Sequence, residues 1–351
     1  EPSSSTTGRV EYAIANPTTF IGANSKFDWL LNNNVYNPLW TESDESKSVY
    51  DPCPAGWRVP DWDVWTKAFG SPVIERPLDF TNKGVDFNGL FGNDPVIWYP
   101  AAGRRIYYDG TLESVGDVGY YWSASPSDVD DNKQFMLSFN NSGKISLSDG
   151  TVRSIACSVR CVKEDSAVEE PVTDLKDPAN CYIVSKAGTY SFIPTKGGSS
   201  AVGDIHSVEV LWATYGTDVA PASRYLVHSV SFSDNRITFT ATDRKGNAVI
   251  AARDASGTIL WSWHIWLTDK PEEQVYFNGA GTFMDRNLGA TSATPGQTAS
   301  LGLLYQWGRK DPFLNSHFIN ASYDAKSSYE WPSHEPSSST TGRVEYAIAN
   351  P

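Results

Sequence analysis

Residues 1–17, EPSSSTTGRVEYAIANP, return letter for letter as residues 335–351. The offset between Glu1 and Glu335 sets a period of 334 residues with a 17-residue overlap. Self-similarity at a fixed spacing decides whether the visible ends are domain ends. It predicts a window on a longer tandem array, in which Pro351 is followed by another copy of Thr18. An engineered permutation with overlapping ends, or a terminal duplication without a role, are the alternatives. Within the duplicate, Val10, Tyr12 and Ile14 alternate with Arg9, Glu11 and Ala13, which predicts a half-buried strand. Burying three such side chains stabilises by roughly 1.5–3 kcal/mol each. Ordering the backbone of nine residues costs about 1–2 kcal/mol apiece. The segment therefore needs a docking partner, and Val10, Tyr12 and Ile14 are expected to form an inter-repeat strand. On this expectation residues 272–351 complete a domain with the following unit's residues 18–162.

Composition points to short strands. Thirteen Trp, seventeen Tyr and fifteen Phe stand beside 27 Gly, 21 Pro and two Met, which suits strands and turns better than long helices. A net charge of −13 without a basic stripe argues against a nucleic-acid partner. No run of eighteen apolar residues marks a membrane span within this window. Four cysteines allow three connectivities in principle. Cys53 and Cys161 enclose a loop long enough for a bridge worth roughly 4–5 kcal/mol in the chain-entropy model. Spacing gives no Cys-x-x-Cys and no His-rich set, so no metal centre is expected.

The acidic, proline-containing stretch 164–178 reads as a linker. Between 179 and 271 seven short runs (CYIV, TYSFIP, SVEVLWATY, YLVHSVSF, RITFTAT, NAVIAARD and TILWSWHIWL) are separated by turn signals. That pattern predicts an antiparallel, Ig-like β-sandwich, with its best hairpin at 254–257. In the last run Ile259, Trp261, Trp263, Ile265 and Leu267 share the core face. On the other face Trp266 is expected at a domain junction rather than as an exposed sugar platform, and His264 as an ordinary hydrogen-bonding residue. Elsewhere a helix is predicted from Trp62, capped by Asp61, with Trp62, Trp65 and Phe69 on one stripe. Weaker helical signals cover 28–32 and 299–307, and turns are expected at 109–110, 140–144 and 149–150.

DPCPAGWRVPDWDVW (51–65), YPAAGRRIYYDGTL (99–112), GYYWSAS (119–125) and CSVRCVK (157–163) together resemble the Fibrobacter succinogenes major paralogous domain. FMDRNLGATS (283–292) and GLLYQWGRKDPF (302–313) resemble its amino-terminal part, which in family order precedes DPCPAGWRVP. The 179–271 segment is similar to a module that precedes this domain in fimbrillin-like surface proteins of Bacteroidota. The resemblance implies a C-type-lectin-like fold split across the chain ends, as 1–163 and 272–351, in a β-rich (α+β plus all-β) chain. It also implies an extracellular, cell-surface location and a Cys53–Cys161 bridge, with Cys157 an extra buried thiol and Cys181 a small buried hydrophobe of the sandwich.

Calcium-dependent sugar binding in lectin-type folds uses Glu-Pro-Asn or Gln-Pro-Asp followed by Trp-Asn-Asp, and neither occurs here. The nearest substitute is the acidic loop of Asp128, Asp130, Asp131 and Asn132, with the hard oxygen ligands calcium prefers. Together with Tyr107, Tyr108 and Tyr120 it is the expected ligand-binding set, for a glycan or a protein. The lectin-like class includes formylglycine-generating oxidases, for which Cys157 and Cys161 would be the pair; a bridge at Cys161 removes it. No Ser-His-Asp order, metal-ligand helix or phosphate loop is visible, so no catalytic residue is assigned. The expected function is a non-enzymatic repeat unit of a surface fibre, stalk or adhesin whose partners are neighbouring copies. A lectin-like adhesive module is the alternative. Ser166, in Asp-Ser-Ala, matches an O-glycosylation pattern of Bacteroidota.

Overall fold

The computed structural model describes residues 3–24, 27–31, 39–41, 47–69, 73–75, 78–87, 97–126, 133–164, 175, 178–198, 200–214, 226–276 and 279–315. Asp128, Asp130, Asp131, Asn132 and Ser166 lie outside these residues, as do most of the 164–178 linker and the whole 335–351 copy.

The alternating runs between 179 and 271 become seven strands in two sheets. Cys181–Val184, Ile259–Leu267, Gly246–Arg253 and Ser207–Ala213 form one sheet in that order, and Gly188–Phe192, Arg236–Ala241 and Val227–Ser233 form the other. Period-2 alternation puts Trp261, Trp263 and Ile265 between the sheets with Tyr190, Phe192, Phe239 and Ile250. The 254–257 hairpin is stabilised by the Asp254 carboxylate, which accepts from the Ser256 and Thr258 amides at 2.8 and 2.9 Å. One pairing departs from the antiparallel expectation. Cys181–Val184 runs parallel to Ile259–Leu267, which is feasible because the five intervening strands supply the crossover that parallel neighbours need.

The remaining described strands build four antiparallel sheets of two to five strands. Lys133–Asn140 pairs with Val118–Pro126 on one side and Lys144–Val152 on the other. Asp149 and Gly150, expected in a turn, instead continue the Lys144–Val152 strand, with Gly150 opposite Phe135. The Trp62–Phe69 helix forms as the stripe predicts, and its buried Trp65 packs on Tyr99 and Phe283. The first helical amide, Trp62 N–H, donates to Ser125 Oγ at 3.0 Å. Residues 28–31 are not helical; the Asp28 carboxylate instead accepts from the Leu30 amide. Residues 299–307 are a single 3-10 turn, Thr298–Ser300, followed by the strand Leu304–Gln306. Gly302 divides them: its φ of +73° suits glycine, and a Cβ there would come within 2.8 Å of the Leu288 carbonyl.

Two corrections bear on function. First, Val10, Tyr12 and Ile14 do not form a strand: Val10–Ala15 is an α-helix. A three-residue alternation also contains the i, i+4 pair of a helix, here Val10 and Ile14, so so short a pattern fits both periods. Packing against the Ile259–Leu267 strand and burial of Ala13 select the helix. Second, strands within residues 273–315 pair with strands of residues 156–163 of their own chain. Gly281–Met284 pairs with Val162–Lys163 through Phe283 and Val162, and Leu304–Gln306 pairs with Ala156–Cys157. Cys53 and Cys161 are bridged, while Cys157 and Cys181 are buried free thiols. Burial in apolar surroundings pushes both thiols well above their ordinary pKa.

Candidate functional site

The segment YQWGRKD, residues 305–311, is a polar hub that the sequence did not announce as one. Gly308, at φ +77°, turns the chain where a Cβ would strike Leu39 at 2.5 Å. The side chains on either side then point into the molecule. The Gln306 amide clamps Ile21, accepting from its N–H at 3.3 Å and donating to its carbonyl at 2.8 Å. Arg309, 2% exposed, donates to the carbonyls of Thr19 at 2.7 Å, Asn16 at 3.2 Å and Pro17 at 3.3 Å. It also donates to Gln306 Oε1 at 2.8 Å and lies 5.0 Å from the Phe313 ring centroid. Desolvation lowers the Arg309 pKa to about 10, so the guanidinium remains charged at neutral pH. The Trp29 indole donates to the Trp307 carbonyl at 2.8 Å, and Trp122 to that of Tyr305 at 2.7 Å. Arg105 donates twice to Leu314 O.

The hub holds the first copy of the duplicated segment in a slot. Residues 16 and 17 are gripped by Arg309, and the Val10–Ala15 helix rests on the Ile259–Leu267 strand. Val10, Tyr12 and Ala13 join the core that contains Trp29, Trp40, Trp122 and Trp307, while Ile14 packs on the sandwich core. At the far end Ser3 Oγ donates to Trp29 O at 2.7 Å, and Leu31 N–H donates to Gly8 O at 2.9 Å. The first copy is thus an integral part of the core.

The same region joins the sandwich to the rest of the chain. Trp266 is fully buried and its indole donates to Ala290 O at 3.0 Å, at the junction rather than on an open face. Asn247 donates to Gly289 O at 2.9 Å, which leaves Asn247 Oδ1 to accept from His264 Nε2 at 2.8 Å. Desolvation lowers the His264 pKa to about 3, so the ring is neutral. Lys310, buried beside Asp311 at 2.6 Å, donates to Ser262 of the sandwich. Another buried cation, Arg160, donates to Asn287 Oδ1, Met284 O and Trp98 O and lies 4.1 Å from the Tyr99 centroid. Arg160 thereby ties residues 284–287 to 98–160.

The expected ligand-binding residues divide. Tyr107 and Tyr108 meet edge to face at 5.1 Å, and Tyr107 meets Phe27 at 5.4 Å. Tyr108 is 57% and Phe27 48% exposed, and Phe27 holds a φ of +60°, rare for a bulky residue. Tyr120 is half-buried under the Arg104 guanidinium, which pairs with Glu113. Tyr120 opposes Ser138 toward one end of its hairpin, whereas Pro126 and Lys133 flank the acidic loop at the other. Among the described residues no three His, Cys, Asp or Glu side chains cluster as a metal site. No helix among them is long and apolar enough to cross a membrane. Arg309, Gln306, Arg160 and Lys310 were missed because their partners are mostly backbone carbonyls distant in sequence; the dense YQWGRKD run was the only local signal. No family model, curated protein or solved structure matches the chain.

Proposed function

We propose that the chain is a non-enzymatic repeat unit of an extracellular, cell-surface fibre or stalk, made of closed β-rich units joined in tandem. The observation that carries this is the duplicate itself. Its first copy fills a slot in the core of its own chain, so at the 334-residue period residues 335–351 are the opening segment of a next unit, with its own slot to fill. One segment and one slot per unit then match along the array. Units of this kind derive stability from internal packing and nearest-neighbour contacts, and can multiply weak surface contacts by avidity. The Cys53–Cys161 bridge suits an oxidising compartment. The resemblance to the Fibrobacter succinogenes major paralogous domain, with its lectin-like fold, belongs to this proposal. The test is the mass of the native protein after denaturation and reduction, together with electron microscopy of its source surface. Masses at multiples of one unit, or a ladder of filaments, are expected; a native polypeptide of one unit that does not polymerise would refute the array.

The exposed Phe27–Tyr107–Tyr108 patch favours a second function, an adhesive module that stacks a sugar or an aromatic side chain. Glycan-array binding by one unit, abolished by Tyr108→Ser and retained in Tyr120→Phe, would raise this function above the stalk.

A further inference from the structure

We propose that Lys47 and Asp51 condense into an intramolecular isopeptide bond, with the backbone amides of Cys53 and Val59 polarising the carboxyl group and Glu164 carrying the proton. Lys47 Nζ lies 3.8 Å from Asp51 Oδ1, and the two side chains are 11% and 1% exposed. Both ends are held in place. The ammonium donates to the carbonyls of Cys53 at 2.6 Å, Pro54 at 2.8 Å and Trp57 at 2.8 Å. The carboxylate accepts from Cys53 N–H at 2.7 Å on Oδ1 and from Val59 N–H at 2.9 Å on Oδ2. Well-oriented intramolecular reactants reach effective concentrations of about 10⁵–10⁸ M. The side chains already meet across their four-residue spacing, so an amide between them closes without moving the chain.

Two ions out of water are costly, and condensation removes both charges. Burial lowers the pKa of Lys47 and raises that of Asp51. That favours passage of a proton from the ammonium to the carboxylate, which yields the neutral amine and carboxylic acid that react. The Nζ lone pair then attacks Asp51 Cγ, and the oxygen that becomes the oxyanion keeps its backbone N–H donor. One proton passes from the nitrogen through Glu164 to the other oxygen, the Cγ–O bond breaks and one water leaves. No oxidant or co-reactant is consumed. Glu164 is held nearby, its backbone N–H donating to Gly56 O at 2.9 Å, and its charge acts on both Lys47 and Asp51. The product keeps one N–H for the three carbonyls, of which that of Pro54 also accepts from Trp57 N–H at 3.1 Å. The bond staples the turn that carries Cys53. Pro54 bridges to Cys181, and Asn180 donates to Asp51 O at 2.9 Å, so the staple sits where that turn meets the sandwich. This inference needs neither an array nor a ligand, so its failure would leave the proposed function untouched.

The test is intact-mass spectrometry of the folded, full-length chain, followed by digestion at lysine and arginine. The wild type should weigh one water less than its sequence with the Cys53–Cys161 bridge counted. It should also resist cleavage after Lys47 and give a single peptide covering 27–58, whose fragments place the missing water between Lys47 and Asp51. Lys47→Arg keeps a cation at the site but does not condense; it should have its full mass and be cut after position 47. Glu164→Gln should leave a fraction of freshly made protein at full mass. A wild type at full mass, or a free 48–58 peptide released from it quantitatively, overturns the proposal. So does a Lys47→Arg chain that has lost as many waters as the wild type. Complete water loss in Glu164→Gln would overturn the role given to Glu164. The wild-type peptide decides the bond itself even where a variant fails to fold.

Discussion

Acid should loosen this protein through His264, and the effect can be isolated. The ring is 3% exposed and neutral, with Nε2–H donating to Asn247 Oδ1 at the junction between the sandwich and residues 285–311. Its pKa is lowered from 6.5 to about 3 by desolvation. The folded state therefore binds fewer protons than the unfolded state between these values. Its contribution is present above pH 6.5 and is lost as pH falls toward 3, at about 1.4 kcal/mol per pH unit. Between pH 7 and pH 4 the loss comes to about 3 kcal/mol. Carboxylates titrate in the same range: burial raises Asp28 and Asp51, whose contribution has the opposite sign, while ion pairing with Arg286 and Lys245 lowers Asp269. A His264→Gln chain shares all of these and lacks only the imidazole. Urea unfolding of both chains at pH 7, 6, 5 and 4 should show the stability of the wild type relative to the variant falling by about 3 kcal/mol across the series. Parallel curves, with the difference constant within about 0.5 kcal/mol, would refute the assignment of a neutral buried His264.

Reducing the Cys53–Cys161 bridge, which spans a sequence separation of 108, should destabilise by about 4–5 kcal/mol in the chain-entropy model. Calorimetry with and without reductant, beside a Cys53→Ala/Cys161→Ala chain, checks this. Arg309→Met removes the donors to Thr19, Asn16 and Pro17 and should cost about 3–5 kcal/mol. Amide exchange should rise first in residues 8–21, whereas uniform acceleration throughout the chain would count against a local grip. Trp266→Ala should cost about 3–5 kcal/mol at the junction and separate the unfolding of the sandwich from that of the remainder; a single shifted transition would show that other contacts couple them.

Long alternations were legible. The nine-residue strand Ile259–Leu267 could be assigned a core face and a junction face before any tertiary information, because its period is sustained and its aromatics are large. The Trp62 helix and the expected burial of Trp266 were legible for the same reason. The candidate ligand set was legible only in part. Tyr107 and Tyr108 are adjacent in sequence and their rings meet edge to face, whereas Tyr120 is covered by the Arg104 guanidinium, a contact no local pattern announces.

By itself the sequence determined a β-rich chain, a seven-strand sandwich and a 17-residue segment present twice at a fixed offset. Only the tertiary structure decided that Val10–Ala15 in the first of those segments is a helix, since three alternating residues satisfy either period and the neighbouring strand resolves the choice. Only the tertiary structure decided that strands within residues 273–315 pair with residues 156–163. The grip of Arg309 on residues 16, 17 and 19 joins positions 290 to 293 apart in sequence. Backbone carbonyls carry no residue identity, so contacts of that kind leave no mark in a sequence and exist only once the chain has folded.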